Sequence, residues 1–271
     1  MNILLTNDDG VAAPGIWAAA RTLACFGQVT IVAPANNYSG YGAALPPARS
    51  FSYFPYHHGE DHPENVMAYG LAGTPASCAH AGLSGALGGG PFDLVVSGIN
   101  HGTNLGRDVF YSGTVGAALT AHLLGVPAVA ISLDAGPAGV AHWHAARWAL
   151  GEVVCRWQHN PDPIPVVFNV NVPNLPVSHL EGTLITSSAN ASCLTKYCFS
   201  PDPHAANTLN VIANDDGKLA PEPWTDAWAV ELGYIAITPF RAIPDLLCVI
   251  PWSAPSEAVA LPMVSALEMV A

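Results

Sequence analysis

Two adjacent carboxylates, Asp8 and Asp9, stand directly behind an apolar run in the opening MNILLTNDDG. A turn or a helix cap needs one Asp, not two. Paired carboxylates repel each other unless a cation lies between them or one keeps its proton. Their oxygens suit a hard divalent ion such as Mg or Mn. Such an ion can polarise a phosphoryl oxygen and acidify a bound water. The same four letters recur at 214–217, in LNVIANDDGKL. There Asp-Gly sits between short strands and reads as a hairpin turn. The first copy differs by its strand–loop–helix setting.

A second stretch, VVSGINHGTNLGRDVFYSGTVGAA (95–118), joins a buried strand to an apolar helix through a long polar loop. Loops of that length inside a compact domain are usually functional or disordered. The loop ends in Tyr111-Ser112-Gly113-Thr114, at the start of the helix. Free amides converge at a helix N-terminus and its dipole favours an anion. Ser112 or Thr114 would also serve as a plain N-cap. Asn100 can offer a side-chain oxygen to a metal, and Asn104 can donate or accept near a phosphate. A third stretch, VAPANNYSG, places Ser39 in a Gly-containing loop after another strand.

Other clusters read as structure. FPYHHGEDHPE (54–64) packs three His and three acids together, and a solvated hairpin tip is the expectation. His101, inside the long loop, could donate to a leaving group but reads as a bystander. His142 and His144, near Trp143 and Trp148, read as packing on a helix. No G-x-S-x-G elbow and no phosphate loop of the G-x-x-x-x-G-K-[ST] kind occurs. Cys25, Cys78, Cys155, Cys193, Cys198 and Cys248 form no C-x-x-C pair. They read as small packing residues in a reducing, cytoplasmic setting. No basic segment precedes the first apolar run, so it is not a signal peptide.

The elements that must position these residues alternate. Strands are expected at 3–6, 28–33, 93–97, 128–133 and 166–172. Helices are expected from 14 to about 27, and at 74–87, 114–124 and 140–157. Apolar strands separated by helices imply a parallel sheet covered on both faces. The fold class is therefore α/β: a three-layer Rossmann-like, mostly parallel sheet, with ligands at the carboxyl ends of its strands. Past residue 174, GTLITSS and TLNVIANDDGKL look like antiparallel hairpin material. TDAWAVEL then reads as a helix and GYIAITP as a strand. The expected division is a core of about 1–186 and 225–250, a protruding β-hairpin arm of about 187–224, and a C-terminal tail, 251–271. The arm or the tail could pair with another subunit.

Composition narrows the function. Only 10% of the 271 residues are charged, against roughly 25% in an ordinary domain, and 51% are hydrophobic. Eight Lys and Arg against 20 Asp and Glu give a net charge of -12. No basic surface is available to grip a polynucleotide. The apolar stretch 114–133 contains His122, Gly125 and Pro127. A helix, a turn and a strand explain it better than a membrane span.

NDDG, the Ser-Gly loop, GTPAS and SGINHGTNLGRDVFYSGTVGAA, with FNVNVP and GYIAITPF, together resemble the SurE-type survival-protein nucleotidases. The long SGIN…YSGT signature is the specific part. The resemblance implies a metal-dependent phosphatase acting on nucleoside monophosphates, a 5′/3′-nucleotidase. It implies one divalent metal per subunit, Mg or Mn, held by Asp8, Asp9, Ser39 and Asn100. It implies a phosphate held by Asn104, Ser112, Gly113 and Thr114. It also implies a homodimer or homotetramer with exchanged C-terminal elements. Where the family usually carries charged residues before Ser39, this chain has Ala35-Asn36-Asn37-Tyr38, which leaves substrate preference open. Asp8 is the favoured group to activate water. A broader phosphomonoesterase of the acid phosphatase or exopolyphosphatase type, or a non-catalytic nucleotide-binding module, are the alternatives. The scarcity of Lys and Arg argues against polyphosphate as the main substrate.

Overall fold

A computed structural model describes residues 1–135, 140–159, 167–190, 197–213 and 222–240. Its first strand, β1 (Asn2–Thr6), carries Ile3, Leu4 and Leu5 fully buried. Helices lie on both faces of this strand, so both sides of it must be apolar. α1 (Pro14–Leu23) begins with a proline, whose fixed φ suits a first turn. β2 (Gln28–Pro34) pairs parallel to β1. β3 (Tyr53–Pro55) and β4 (Val66–Leu71) were not expected from the sequence. β4 extends the sheet beyond β2, and β3 closes that edge antiparallel to β4.

Thr74 caps α2 (Pro75–Leu83), its hydroxyl accepting from the Ser77 amide at 3.2 Å. β5 (Leu94–His101) runs farther than expected, into SGINH. α3 (Gly113–Leu123), β6 (Ala128–Leu133), α4 (Trp143–His159) and β7 (Val167–Val172) complete the alternation. The apolar stretch 114–133 is thus mostly α3 and β6. Among the described residues no helix is long and apolar enough to cross a membrane.

The later elements correct one expectation. GTLI forms β8 (Gly182–Ile185), which pairs parallel to β11 (Tyr234–Phe240) rather than within a hairpin. β11 is antiparallel to β7, and α5 (Asp226–Glu231) precedes it. β9 (Tyr197–Pro201) and β10 (Leu209–Ala213) form a separate antiparallel pair. Among the described residues the main sheet has nine strands, in the order β3-β4-β2-β1-β5-β6-β7-β11-β8. α1 and α4 cover one face, α2 and α3 the other. The second NDDG at 214–217, Cys193, Cys248 and the tail 251–271 lie outside the described residues.

The sheet places the chemistry at the carboxyl ends of β1, β2 and β5. Between Ser97 and Asn100 the pairing of β5 with β6 slips by a bulge. Gly98 sits there at φ +137°, and a Cβ on it would run into the Ile131 carbonyl of β6. Gly98→Ala therefore combines backbone strain with a clash. It is expected to cost about 2–5 kcal/mol, read as a lower urea midpoint of the metal-free protein. An unchanged midpoint would mean that the bulge is not fixed in this form.

Two packing expectations also change. The 54–64 segment is no free tip. His58 stacks on the buried Trp17 ring, with centroids 4.3 Å apart, and His57 stacks on His62. His62 accepts from the His58 amide at 3.1 Å and lies 2.7 Å from the Val66 carbonyl, so both its ring nitrogens are engaged. Among the described cysteines only Cys78 is buried; Cys25, Cys155 and Cys198 are exposed, so they are not packing residues.

Candidate active site

Asp8 is buried where β1 ends. Its carboxylate meets the start of α3, which follows 106 residues later. The Thr114 hydroxyl donates to Oδ1 at 2.6 Å and the Thr114 amide to Oδ2 at 3.1 Å. The helix N-terminus thus points its positive end at a carboxylate of the protein's own. Ser112 caps the helix, its hydroxyl oxygen accepting from the Val115 amide at 3.0 Å. Gly113 allows the approach: a Cβ there would come within 2.7 Å of Asp8 Cβ.

Asp9 is less enclosed. Its Oδ2 accepts from the His101 amide at 3.1 Å, and its Oδ1 from the Asn37 side chain at 3.4 Å. Asn37 Oδ1 in turn accepts from the Ser39 amide at 2.8 Å. Asn37 thereby ties the exposed Ser39 loop to the carboxylate pair. The loop is also anchored by the Tyr38 amide, which donates to the Asp8 carbonyl at 2.7 Å. Asn100 is buried, and its amide nitrogen donates to the Gly102 carbonyl at 2.9 Å. That leaves Oδ1, an atom of the kind a hard cation takes.

Burial pushes the Asp8 carboxyl above the usual carboxylate range, against the Thr114 bonds. Burial, and then the neighbouring Asp8 charge, push Asp9 up to about 6. Like charges, one buried and one half-buried, with no basic side chain bonded to them among the described residues, make a site that a divalent cation would relieve. The donor set is all oxygen, which fits Mg or Mn better than a softer metal. Among the described residues no three His, Cys, Asp or Glu side chains cluster for a metal, so any ion here would lean on Asn and Ser oxygens.

Asn104 is anchored inward. Its amide donates to Asn171 Oδ1 at 2.8 Å and its side-chain nitrogen to Ser132 Oγ at 2.8 Å. Its carbonyl accepts from Asn169 and Asn171. Its backbone amide and one N–H of its side chain therefore face the sheet, and the side-chain amide has a second N–H that these bonds do not use. Two residues on, the Gly106 amide donates to the buried Asp226 at 2.9 Å. Asp226 also accepts from the amides of Ala189 and Ala227, both at 2.8 Å. The polar loop is thus held by β7 at Asn104 and by α5 at Gly106.

The site does not coincide with a cavity of about 560 Å³ lined by Leu94, Val129, Trp148, Phe168, Ile185 and Ile235, among others. That cavity opens between α4 and the β11–β8 edge, near the amino ends of β5 and β6, away from Asp8. Its apolar walls hold no cluster suited to hydrolysis.

The survival protein SurE family model matches residues 3–194, which includes the whole carboxylate–loop–helix arrangement. The chain belongs to the SurE family. A curated relative from Escherichia coli O17:K52:H18, "5'/3'-nucleotidase SurE", is 39% identical over 241 residues, covering 89% of this chain and 90% of its own. Another with the same name, from Citrobacter koseri, is 38% identical over the same shares. The crystal structure of the SurE protein from Aquifex aeolicus superposes with a TM-score of 0.73 at 31% identity, covering 92% of this chain and 96% of that one.

In this SurE chain the sequence reading missed Asn37, Ser132, Asn169, Asn171 and Asp226. The signal for two of them was present: FNVNV puts Asn169 and Asn171 on one face of β7, as period-two alternation requires. Nothing local marks Asn37 or Asp226, whose partners lie 28 and 120 residues away.

Proposed function

We propose that this chain is a metal-dependent phosphatase that hydrolyses nucleoside monophosphates, a 5′/3′-nucleotidase. The observation that carries the reading is the pair of buried Asp8 and half-buried Asp9, bonded on one side to the N-terminus of α3 and on the other to the β5 end. The relatives' printed activity supports it. Asp8, Asp9, Ser39 and Asn100 would hold one divalent ion, Mg or Mn. When bound, the ion would supply charge neutralisation at the phosphoryl group and a more acidic water.

The chain's own groups do the rest. Thr114 fixes the Asp8 carboxylate through both oxygens, so Asp8 serves as a rigid anchor. The sequence favoured Asp8 as the group that activates water; because Thr114 occupies both Asp8 oxygens and Asp9 has the more open carboxylate, we assign Asp9 the proton taken from the attacking water instead. Ser112 accepts through its oxygen and keeps its proton to donate to a phosphoryl oxygen. Gly113 and Thr114 shape the floor of that pocket, and Asn104 holds the loop over it. Phosphate release from AMP and GMP with Mg or Mn tests the reading. Release from neither, or nucleotide binding without turnover, would contradict it.

Metal binding carries its own signature. The folded-state pKa of Asp9 lies above its unfolded value, so the stability it contributes is full below about 3.8 and is lost as pH rises through about 6. Asp8 shifts the same way. The metal-free protein should therefore melt lower at pH 8 than at pH 5, by about 1–3 kcal/mol of stability. Mn should remove that slope and release protons near pH 6. A melting temperature that ignores pH without metal would contradict the coupling.

The oligomer belongs to the same reading: a homodimer or homotetramer. Phe199, Leu209 and Val211 share one face of the β9–β10 pair and are exposed. An isolated two-stranded sheet is marginal in water, so a second subunit packing on this apolar face is the natural cover.

A further inference from the structure

Three exposed aromatic rings stand where two loops of the site touch. Phe110 is 77% exposed, Tyr41 57% and Tyr111 48%. The loops are joined at the backbone: the Gly42 amide donates to the Tyr111 carbonyl at 2.9 Å. A Cβ on Gly42 would lie 2.9 Å from the Phe110 carbonyl. Tyr41 is thus one residue from the contact on one loop, and Phe110 and Tyr111 lie at it on the other. None of the three rings belongs to either face of the core.

Both loops lead straight to the carboxylates. The Tyr38 amide bonds the Asp8 carbonyl, and Gly113 abuts Asp8 two residues after Tyr111. Tyr38 stands edge-on to Tyr41, with centroids 5.0 Å apart and planes at 71°, which fixes the Tyr41 ring in advance. The loop 35–44 contains no Lys or Arg, and on the other loop the one cation, Arg107, stands three residues before Phe110 on the same turn. A substrate whose phosphate sits at Asp8 therefore meets three exposed rings at this rim. Scattered exposed aromatics need no explanation, but three gathered at the mouth of a polar site mark a binding surface.

We propose that Tyr41 and Phe110 form a stacking platform for the planar base of a nucleoside monophosphate, and that this platform selects nucleotides over base-free phosphate esters. The proposal rests on the nucleotidase reading. Stacking tolerates any base, since each offers a π-face. The platform therefore favours purine over pyrimidine only by ring area, without a donor–acceptor code.

The test compares kcat/KM for AMP and for ribose 5-phosphate in the wild-type protein and in Tyr41→Ala, Phe110→Ala and Tyr41→Phe. Wild type should prefer AMP. Each alanine variant should lose about 5- to 150-fold on AMP, the scale of one stacked base, mainly through KM. Ribose 5-phosphate should change less than about twofold, because the anchoring of its phosphate is untouched. Tyr41→Phe keeps the ring and should keep the preference. Equal losses on both esters, or no loss on AMP, would overturn the platform while leaving the nucleotidase intact. A wild-type protein that releases phosphate from neither ester would sink the nucleotidase reading itself, and the platform with it.

Discussion

Asp8→Asn is expected to lower phosphate release from AMP by about 10²–10³-fold or more, the scale of losing one preorganised electrostatic group. The loss should come without unfolding. Asn has the shape of Asp, and its one carbonyl oxygen can still accept from the Thr114 amide. The Thr114 hydroxyl can turn to accept from the new NH2 group, so both contacts with Thr114 can survive as hydrogen bonds. Burial already disfavours the ionised Asp8, which has no bonded cationic side chain among the described residues. Removing that charge should therefore leave the metal-free protein as stable as wild type, or more so. Adding Mn should raise the variant's melting temperature less than it raises that of wild type. Wild-type turnover in the variant would remove Asp8 from the chemistry.

Gly113→Ala should do comparable damage by geometry alone. The new methyl group would meet Asp8 Cβ at 2.7 Å, Pro75 Cγ at 2.9 Å and Asp8 Oδ2 at 3.0 Å. These are not the ends of flexible side chains. Pro75 is buried at the start of α2, and Asp8 is fixed by two bonds. Either α3 or Asp8 has to move. A displacement approaching 1 Å in a reacting geometry costs about 10²-fold, and the overpacking costs about 1–3 kcal/mol. Gly151→Ala is the control. Its Cβ would find only Thr22 Cγ2, at 3.8 Å, on helix α4. There the change should leave activity alone and stabilise by about 0.5–1 kcal/mol. A fully active Gly113→Ala protein would mean that the helix and the carboxylate are not held together as described.

Much of this arrangement was legible because it is local. Ile3–Leu5 form a fully apolar run, Pro14 opens a helix, and Ala128–Leu133 is buried along its whole length. Such segments declare their type whatever surrounds them. β3 was missed because it is a three-residue edge strand with Tyr53 and Phe54 facing solvent, and β4, the strand inside it, because exposed Met67 and half-buried Tyr69 break its apolar run. GTLI was read as part of a hairpin because alternation reveals a strand but not its partner, and its partner, β11, starts some 50 residues later.

The site shows the same boundary. The Asp pair, Ser112 and Thr114 stood out by type and setting. The direction of the α3 N-terminus did not. Sequence marks it as a place for an anion, and in the fold the anion bonded there is the carboxylate of Asp8. Asn104 likewise stood out as a polar loop residue, yet its backbone amide and one side-chain N–H are spent on Asn171 and Ser132, in strands that the loop alone does not reveal.

One measurement bears most directly on the pairing of a cation with Asp8 and Asp9: phosphate release from AMP by the protein with Mn, after EDTA, and after Mn is restored. Release should stop with the chelator and return with the metal, and the Asp8→Asn protein should regain little at any Mn concentration. Turnover that persists undiminished in EDTA would contradict the central claim.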